Sequence, residues 1–537
     1  MRPAGPAEKR VRTGFSLTFA YNLPYEHKVR PGQAAKKTVF FLSRRQPLRI
    51  FVGQTQRLLL NMWLTIILWA VATIYLCIVL STVMVVVLEN RQPVKTIAWT
   101  LVLVTLPVLG LVFFYFFGQN IRKDRIINRN APGYHRRRQL AAAIHRSATG
   151  IPAHYAPVVH LFERLNMALP FGGNHIDLYT DGATFTLALL KAIGSARHHI
   201  PLQSYIIDDD CVGRLVADAL IDKAREGVEV RLIYDDVGCW NVPGRFFERL
   251  AQGGVEARSF LPVRFPSLTH KVNYRNHRKV CVVDGRVGFV GGMNLARRYV
   301  RGVGGAEWRD LHLRLTGPAV SGLQHTFLTD WFFVAHSLLA DSAYYPLAEQ
   351  PPAGEGDVVQ IVTTDPGDRW PDIMYGLTWI IQNARRYLYI QTPYFMPTEP
   401  VLQALQTAAL AGVDVRLMVP LKPDGFWLRW ANDSYFTDVL SAGIRVFTYT
   451  PGFLHSKALV VDDSWSTVGS TNMDFRSFEN NFEANAFIYG RASALRVKAV
   501  FEEDLAHCTE VFLDEWRRRP IRRRLLESFT RIFSPLL

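Results

Sequence analysis

Two stretches of the chain repeat one arrangement of polar residues suited to handling a phosphate. The first runs Asn276-His277-Arg278-Lys279, passes through Val280-Cys281-Val282-Val283 to Asp284, and reaches Gly291-Gly292-Met293-Asn294. The second runs Leu454-His455-Ser456-Lys457, passes through Ala458-Leu459-Val460-Val461 to Asp462, and reaches Gly469-Ser470-Thr471-Asn472. Both follow H-x-K-x4-D-x6-G-[GS]-x-N. On a strand, His and Lys two apart point to one face, so an imidazole and an ammonium converge while the apolar residues after them continue into a buried strand. The glycines let backbone N–H groups approach a ligand closely, and the asparagine adds a neutral donor. One copy supplies a nucleophile or acid with donors for phosphate oxygens. Two copies face to face supply two imidazoles on opposite sides of one phosphorus. A lone H-x-K says nothing, because most are solvated surface residues; the long pattern twice, at matching points of a repeat, does.

The elements that must position these residues repeat as well. Ala224-Arg225-Glu226-Gly227-Val228-Glu229-Val230 resembles Ala409-Leu410-Ala411-Gly412-Val413-Asp414-Val415, and in each a helix is expected to end at the glycine before a buried strand. Leu202-Gln203-Ser204-Tyr205 echoes Ile390-Gln391-Thr392-Pro393-Tyr394, and Gly254-Val255-Glu256-Ala257 echoes Gly443-Ile444-Arg445-Val446. From Ile151 onward, β-rich runs alternate with helical ones, which gives an α/β architecture. Two copies of one α/β unit are expected at 133–345 and 355–516, joined by the Pro- and Gly-rich stretch 351–356. Neither copy has G-x-G-x-x-G after its first strand, which excludes a pair of dinucleotide-binding domains.

Ahead of the repeat lie two uncharged apolar runs, 58–88 and 96–117. Each is long enough to cross a hydrocarbon core of about 30 Å, so a transmembrane hairpin is expected over 58–118. Lys36, Lys37, Arg44, Arg45, Arg49 and Arg57 precede the first run; Arg122, Lys123, Arg125, Arg129, Arg136, Arg137 and Arg138 follow the second. The turn between them holds only Arg91 and Lys95, so the positive-inside rule puts both ends in the cytoplasm. Residues 1–57 form a basic extension with no sustained period. At the other end, 517–537 is basic and amphipathic. Arg517-Arg518-Arg519 and Arg522-Arg523-Arg524 flank an apolar stripe of Ile521, Leu525, Phe529, Ile532 and Leu536. Such a helix either lies in a membrane interface or docks against the second copy.

Composition narrows the function classes. With 49% hydrophobic residues in 537, the chain buries a sizeable core and is not disordered overall. The five cysteines form no C-x-x-C pair, which excludes zinc-ribbon and thioredoxin-type readings. A balance of 62 Lys+Arg against 46 Asp+Glu, net +16, suits an anionic partner, a nucleic acid or an anionic lipid surface. The apolar runs and the lack of basic–aromatic interleaving argue against nucleic acid. Asp208-Asp209-Asp210 and Asp235-Asp236 are expected to cap loops, not to hold magnesium, and His270, Lys271 and His312 to be structural. The sequence shows no P-loop and no ligand cluster of metal spacing beside the paired motifs, which is consistent with a site that uses no cofactor and no metal.

The paired motifs resemble the two HKD motifs of the phospholipase D superfamily. Together with the N-terminal apolar runs, they make the chain closely similar to the bacterial cardiolipin synthases of that superfamily. Further matching text is Arg91-Gln92-Pro93, Gly118-Gln119-Asn120-Ile121-Arg122-Lys123, Trp308-Arg309-Asp310-Leu311-His312, Gln391-Thr392-Pro393-Tyr394-Phe395, Asn472-Met473-Asp474-Phe475-Arg476-Ser477-Phe478, Asn481-Phe482-Glu483 and Asn485. The resemblance runs from about Leu58 to the C-terminus and omits residues 1–57.

The resemblance implies two phospholipase D-like α/β sandwich halves in a multi-pass protein of the bacterial inner membrane, its catalytic part cytoplasmic. It implies phosphatidyl transfer through a covalent phosphohistidine without a metal. One phosphatidylglycerol donates its phosphatidyl group, glycerol leaves, and a hydroxyl of a second phosphatidylglycerol attacks to give cardiolipin. By the same analogy His277 is the nucleophile and His455 the acid and base, while Lys279, Lys457, Asn294, Ser470 and Asn472 hold phosphate oxygens. Asp310 and Glu483 are the acceptors expected to fix the two imidazole tautomers. Asp284 and Asp462 complete the catalytic motif, with salt-bridge scaffolding expected of them in place of proton transfer. Gly292 stands where the second motif has Ser470, so one hydroxyl donor is missing and the half-sites are unequal. Two alternatives share the same histidines: hydrolysis by water to phosphatidic acid, and transfer to another acceptor such as phosphatidylethanolamine.

Overall fold

The computed structural model describes residues 47–88, 93–106, 108–118, 151, 153–263, 273–339, 341–346 and 356–536. The extension before residue 47, the bases at 91 and 122–138, the start of the first copy at 133, His270, Lys271 and linker residues 351–355 lie outside them.

The first apolar run forms one helix, Pro47–Leu88, whose stretch Gln56–Leu88 carries its large apolar side chains outward. At 33 residues it is long enough to span a bilayer with some tilt. The second run departs from the expected hairpin. It divides into an α-helix Pro93–Thr105, a short helix Leu109–Phe113 and a π-helical turn Phe114–Gly118. Among the described residues, only the first helix is long and apolar enough to cross a membrane. The sequence reason for the break is Pro107, which lacks an N–H and disfavours helix at the residue before it. Val108 beside it takes φ 63°, a costly conformation for a β-branched residue.

The two copies build one sixteen-stranded sheet whose order is nearly a palindrome. From one edge it runs Cys508–Val511, Arg445–Tyr449, Asp414–Pro420, Tyr387–Gln391, Ala458–Val461, Trp465–Gly469, Asn481–Tyr489 and Asp357–Thr364. It continues Phe171–Tyr179, His312–Thr316, Val287–Gly291, Val280–Val283, His199–Ser204, Glu229–Asp235 and Glu256–Phe260, and the sixteenth strand, Arg275–Asn276, pairs off this path with Asn481–Tyr489. The halves meet where Phe171–Tyr179 pairs antiparallel with Asp357–Thr364. In each half the motif strand (Val280–Val283 or Ala458–Val461) forms a hairpin with the next strand and also pairs with the strand that carries the repeated Gln203 or Gln391. The repeated helix-ending glycines, Gly227 and Gly412, take φ 90° and 94°, a backbone region that side chains avoid. Helices cover the sheet, and the cores are aromatic-rich, with Phe162, Trp331, Trp465 and Phe487 fully buried. Helix Ala156–Asn166, which the sequence assigns to the first copy, packs into the core of the second: Phe162 lies 4.4 Å from Phe487 between ring centres.

Candidate active site

Each motif histidine sits just before its buried strand, in an extended segment that the opposite half clasps. Arg275–Asn276 pairs in parallel with Asn481–Phe482, and His277 N donates to Phe482 O at 2.9 Å. Gly452–Leu454 pairs in parallel with Glu307–Arg309, and His455 N donates to Arg309 O at 2.7 Å. Parallel pairing decides which carboxylate each imidazole meets, because the residue after Phe482 is Glu483 and the residue after Arg309 is Asp310. His277 Nδ1 therefore lies 3.1 Å from both Glu483 oxygens, and His455 Nδ1 lies 2.6 Å from Asp310 Oδ2. The pairs are crossed: each half supplies the carboxylate for the other half's histidine. Nδ1 is taken in both rings, which leaves Nε2 for chemistry.

The lysines fold back over their histidines. Lys279 Nζ donates to His277 O at 2.6 Å, and Lys457 Nζ donates to His455 O. Arg278, between His277 and Lys279, points the other way. Its Nη1 donates to both Asp330 carboxylate oxygens at 2.6 and 2.7 Å, while Nη2 and Nε donate to the carbonyls of Thr364 and Glu483. That buried fork anchors the first motif across the junction of the halves.

Burial governs the electrostatics. Desolvation pulls Lys279 down to about 7 and Lys457 to about 8, against the pull of the nearby carboxylates. Both imidazoles are also lowered, His277 by burial opposed by Glu483, and His455 well below its usual range by burial and by both lysines. Neither ring therefore behaves as the unperturbed imidazole of a model peptide. Lys457 acts on His277 and Lys279 on His455, so the two motifs share one electrostatic pocket. The carboxylates diverge. Burial raises Asp310 to about 6. Glu483 falls below its usual value despite burial, because His277, Lys279 and the Ser470 hydroxyl favour its charge.

The remaining expected residues divide by their bonds. Ser470 Oγ donates to Glu483 and accepts from Ala484 N, so its hydroxyl is engaged in holding the carboxylate. Asn294 Nδ2 donates to Tyr299 OH at 2.5 Å, and its Oδ1 accepts from Ile206 N. Asn472 is buried with no partner at Oδ1, so of the two asparagines it is the one whose amide the fold leaves less engaged. At Gly292 a Cβ would fall on the Asp310 carboxylate, which occupies the room a serine would need. Asp284 and Asp462 lie at the far ends of their strands and make no salt-bridge scaffold around the histidines. Each accepts three consecutive backbone N–H groups, 197–199 for Asp284 and 385–387 for Asp462, at 2.8 to 2.9 Å. Both carry this clamp at a positive φ, 54° and 53°.

Asp210 caps helix Cys211–Arg225, Asp208 and Asp209 pair with Arg298 and Arg214, and Asp235 receives the N–H groups of Val237, Gly238 and Asn276. His312 is buried against the Phe185 ring and pushed down to about 3 by that burial. Four residues around the histidines had no role assigned from sequence. The Tyr205 ring lies 5.0 Å from His277 and under Lys279, while Tyr299, Trp308 and Phe453 lie 5.7 to 5.8 Å from His455. Tyr205 stands in the echoed segment shared with Tyr394, so the repeat itself was the available signal.

Comparison with known proteins places the chain in a family. The family described as cardiolipin synthase, PLD-like domain, matches residues 189–320 and again 377–505, one match in each half. The phospholipase D-nuclease N-terminal family matches 66–119. The chain is 38% identical over 480 residues to the cardiolipin synthase of Alkalihalophilus pseudofirmus, covering 87% of this chain and 95% of that one. It is 39% identical over 473 residues to cardiolipin synthase 2 of Bacillus cereus, covering 84% and 89%. Among solved structures, the phosphatidylserine synthase of Haemophilus influenzae superposes with a TM-score of 0.53 at 15% identity, over 71% of this chain and 100% of that one, a likeness of fold. With full-length relatives at this identity and a family match in each half of the sheet, the chain belongs to the cardiolipin synthases built on paired phospholipase D-like domains.

Proposed function

We propose that the protein is a phosphatidyltransferase that makes cardiolipin from two phosphatidylglycerol molecules through a phosphatidyl group held on His277. The observation that carries this reading is the crossed pairing, which fixes both imidazoles in one tautomer within a shared cationic pocket. In the first step His277 Nε2 attacks phosphorus, the bond from phosphorus to the glycerol headgroup oxygen breaks, and His455 gives its proton to that oxygen. In the second, the acceptor hydroxyl gives its proton to His455 and attacks phosphorus, and the bond to His277 breaks. Lys279, Lys457 and Asn472 offset the charge on the phosphate oxygens as it shifts.

The choice of His277 as nucleophile has an electrostatic basis. Its ring becomes cationic once phosphorylated, and Glu483 is the carboxylate that stays charged below its usual range. Burial keeps His277 neutral beforehand, as a nucleophile requires. His455 sits well below its usual range in the free protein, and the negative charge of a bound phosphodiester favours its protonation. Both imidazoles are buried, which limits water at the intermediate and favours transfer over hydrolysis.

The catalytic halves face the cytoplasm in this reading, supported by the cluster of bases that follows residue 117, since positive charge beside a membrane segment favours the cytoplasmic side. Product analysis by mass spectrometry with defined lipids tests the chemistry: cardiolipin and glycerol from phosphatidylglycerol alone. Phosphatidic acid as the main product would assign hydrolysis, and product formed only with phosphatidylethanolamine present would assign a different acceptor. Labelling of the C-terminus from outside intact cells would overturn the orientation.

A further inference from the structure

The C-terminal helix Ile521–Ile532 docks by the wrong face for an ordinary globular helix. Residues two apart on a helix lie about 200° apart, so its apolar and polar faces separate cleanly. The buried positions are Glu527 and Thr530, at 2% and 1% exposure. The exposed ones are Ile521 at 70%, Leu525 at 64%, Phe529 at 53% and Ile532 at 71%. Glu527 receives Arg519 at 2.7 Å and Arg523 at 2.9 Å, and Arg523 reaches Asp433 at 2.8 Å. Arg531 pairs with Asp438 at 2.7 Å. Ion pairs thus hold the helix to the second half while its apolar stripe is left outward, the reverse of the burial that normally drives a helix onto a domain.

The surroundings indicate what meets that stripe. From Arg517 to the C-terminus the one acidic residue is Glu527, which is buried, while Arg517, Arg518, Arg522 and Arg524 are exposed beside the stripe. Exposed apolar side chains rimmed by unopposed arginines match an anionic lipid surface, where apolar groups enter the acyl boundary and cations meet headgroups. The helix packs on Phe426–Asp433, which itself exposes Phe426 and Trp427. Just before that helix, Asp424 accepts the Tyr394 hydroxyl at 2.7 Å; the Tyr394 ring packs on Phe453, and Phe453 packs on His455. A short chain of contacts therefore joins this surface to the reacting imidazole.

We infer that helix Ile521–Ile532, with Phe426 and Trp427 beside it, inserts into the anionic bilayer and docks the second half on the membrane. The choice of phosphatidylglycerol for the vesicles rests on the proposed function; the reading below needs no turnover. Full-length protein carrying Phe529→Cys, with the exposed Cys77 and Cys211 replaced by serine, is labelled with an environment-sensitive fluorophore. It is reconstituted into phosphatidylglycerol–phosphatidylcholine vesicles containing nitroxide-labelled lipid. The comparison site is Asp222→Cys, an exposed position on a helix of the first half. The label at 529 is expected to be quenched by the nitroxide lipid and the label at 222 not. Replacing Arg517, Arg518, Arg522 and Arg524 by glutamine should lower the inserted-to-free ratio roughly five-fold per arginine. Quenching at 529 no greater than at 222 overturns the inference. That outcome covers a stripe buried against a second copy of the chain, which would shift emission without nitroxide quenching.

Discussion

Because the carboxylates are crossed, a substitution in the second half should disable the nucleophile of the first. In Glu483→Gln the side chain keeps its shape and loses its charge. Once His277 is phosphorylated its ring is a cation, and Glu483 stands 3.1 Å from Nδ1. At an effective dielectric near 20, that pair is worth about 5 kcal/mol as an upper bound. A neutral amide retains a hydrogen bond of about 1 kcal/mol, so some 3 to 4 kcal/mol of stabilisation is lost. The first step should slow by about 10² to 10³. Losing the carboxylate that opposes burial also lowers His277 further, so the acid limb of this step moves to lower pH. The assay is a rapid-quench burst with a nitrophenyl phosphatidyl ester, whose leaving group needs no proton. Glu483→Gln should lose the burst. Asp310→Asn, which acts on His455, should keep a burst of one equivalent slowed by less than about ten-fold, with steady turnover nearly abolished for want of a base. Mass mapping should find the adduct on His277. A burst kept in Glu483→Gln and lost in Asp310→Asn would refute the assignment of both histidines.

Four further outcomes follow from the same geometry. Burial pulls Lys279 and Lys457 down to about 7 and 8 in the free protein, and both are charged below those values, so kcat/KM should fall as pH rises through 7 to 8; Lys457→Met should leave a single limb, moved upward because the charge of Lys457 holds Lys279 down. Gly292→Ser should push Asp310 off His455 and cost about 10²-fold in kcat, since small misplacements cost that much, with the melting temperature little changed. Asp284→Ala leaves three backbone N–H groups without their acceptor and should cost about 2 to 4 kcal/mol of stability by thermal denaturation, while the burst amplitude per folded molecule is unaltered. EDTA should leave transfer intact, because two buried lysines neutralise the phosphate; loss of activity restored by an added divalent ion would contradict that mechanism.

What the sequence determined was whatever repeats or runs unbroken along the chain. The H-x-K-x4-D-x6-G-[GS]-x-N motif written twice located both half-sites, and the echo around Gly227 and Gly412 announced two copies of one α/β unit. Local pattern also placed the N-terminal apolar helix, which is long and apolar enough to cross a membrane. It overestimated the second run, where counting apolar residues ignored the proline.

Tertiary structure decided everything that depends on which strand lies beside which. Asp310 and Glu483 were nameable from their positions, but their exchange between halves comes from two short parallel pairings, 275–276 with 481–482 and 307–309 with 452–454, which no local signal encodes. The motif aspartates clamp backbone N–H groups some 75 to 87 residues away, a contact of the sheet and not of the chain. The aromatic walls at Tyr205, Tyr299, Trp308 and Phe453 are assembled from four separate segments. The amphipathic C-terminal helix was legible as amphipathic, yet which face it buries was decided by Asp433 and Asp438, whose charges reach Arg523 and Arg531 only once the second half has folded. Periodicity along a chain fixes which residues share a face; which face is buried is set by the surface it meets.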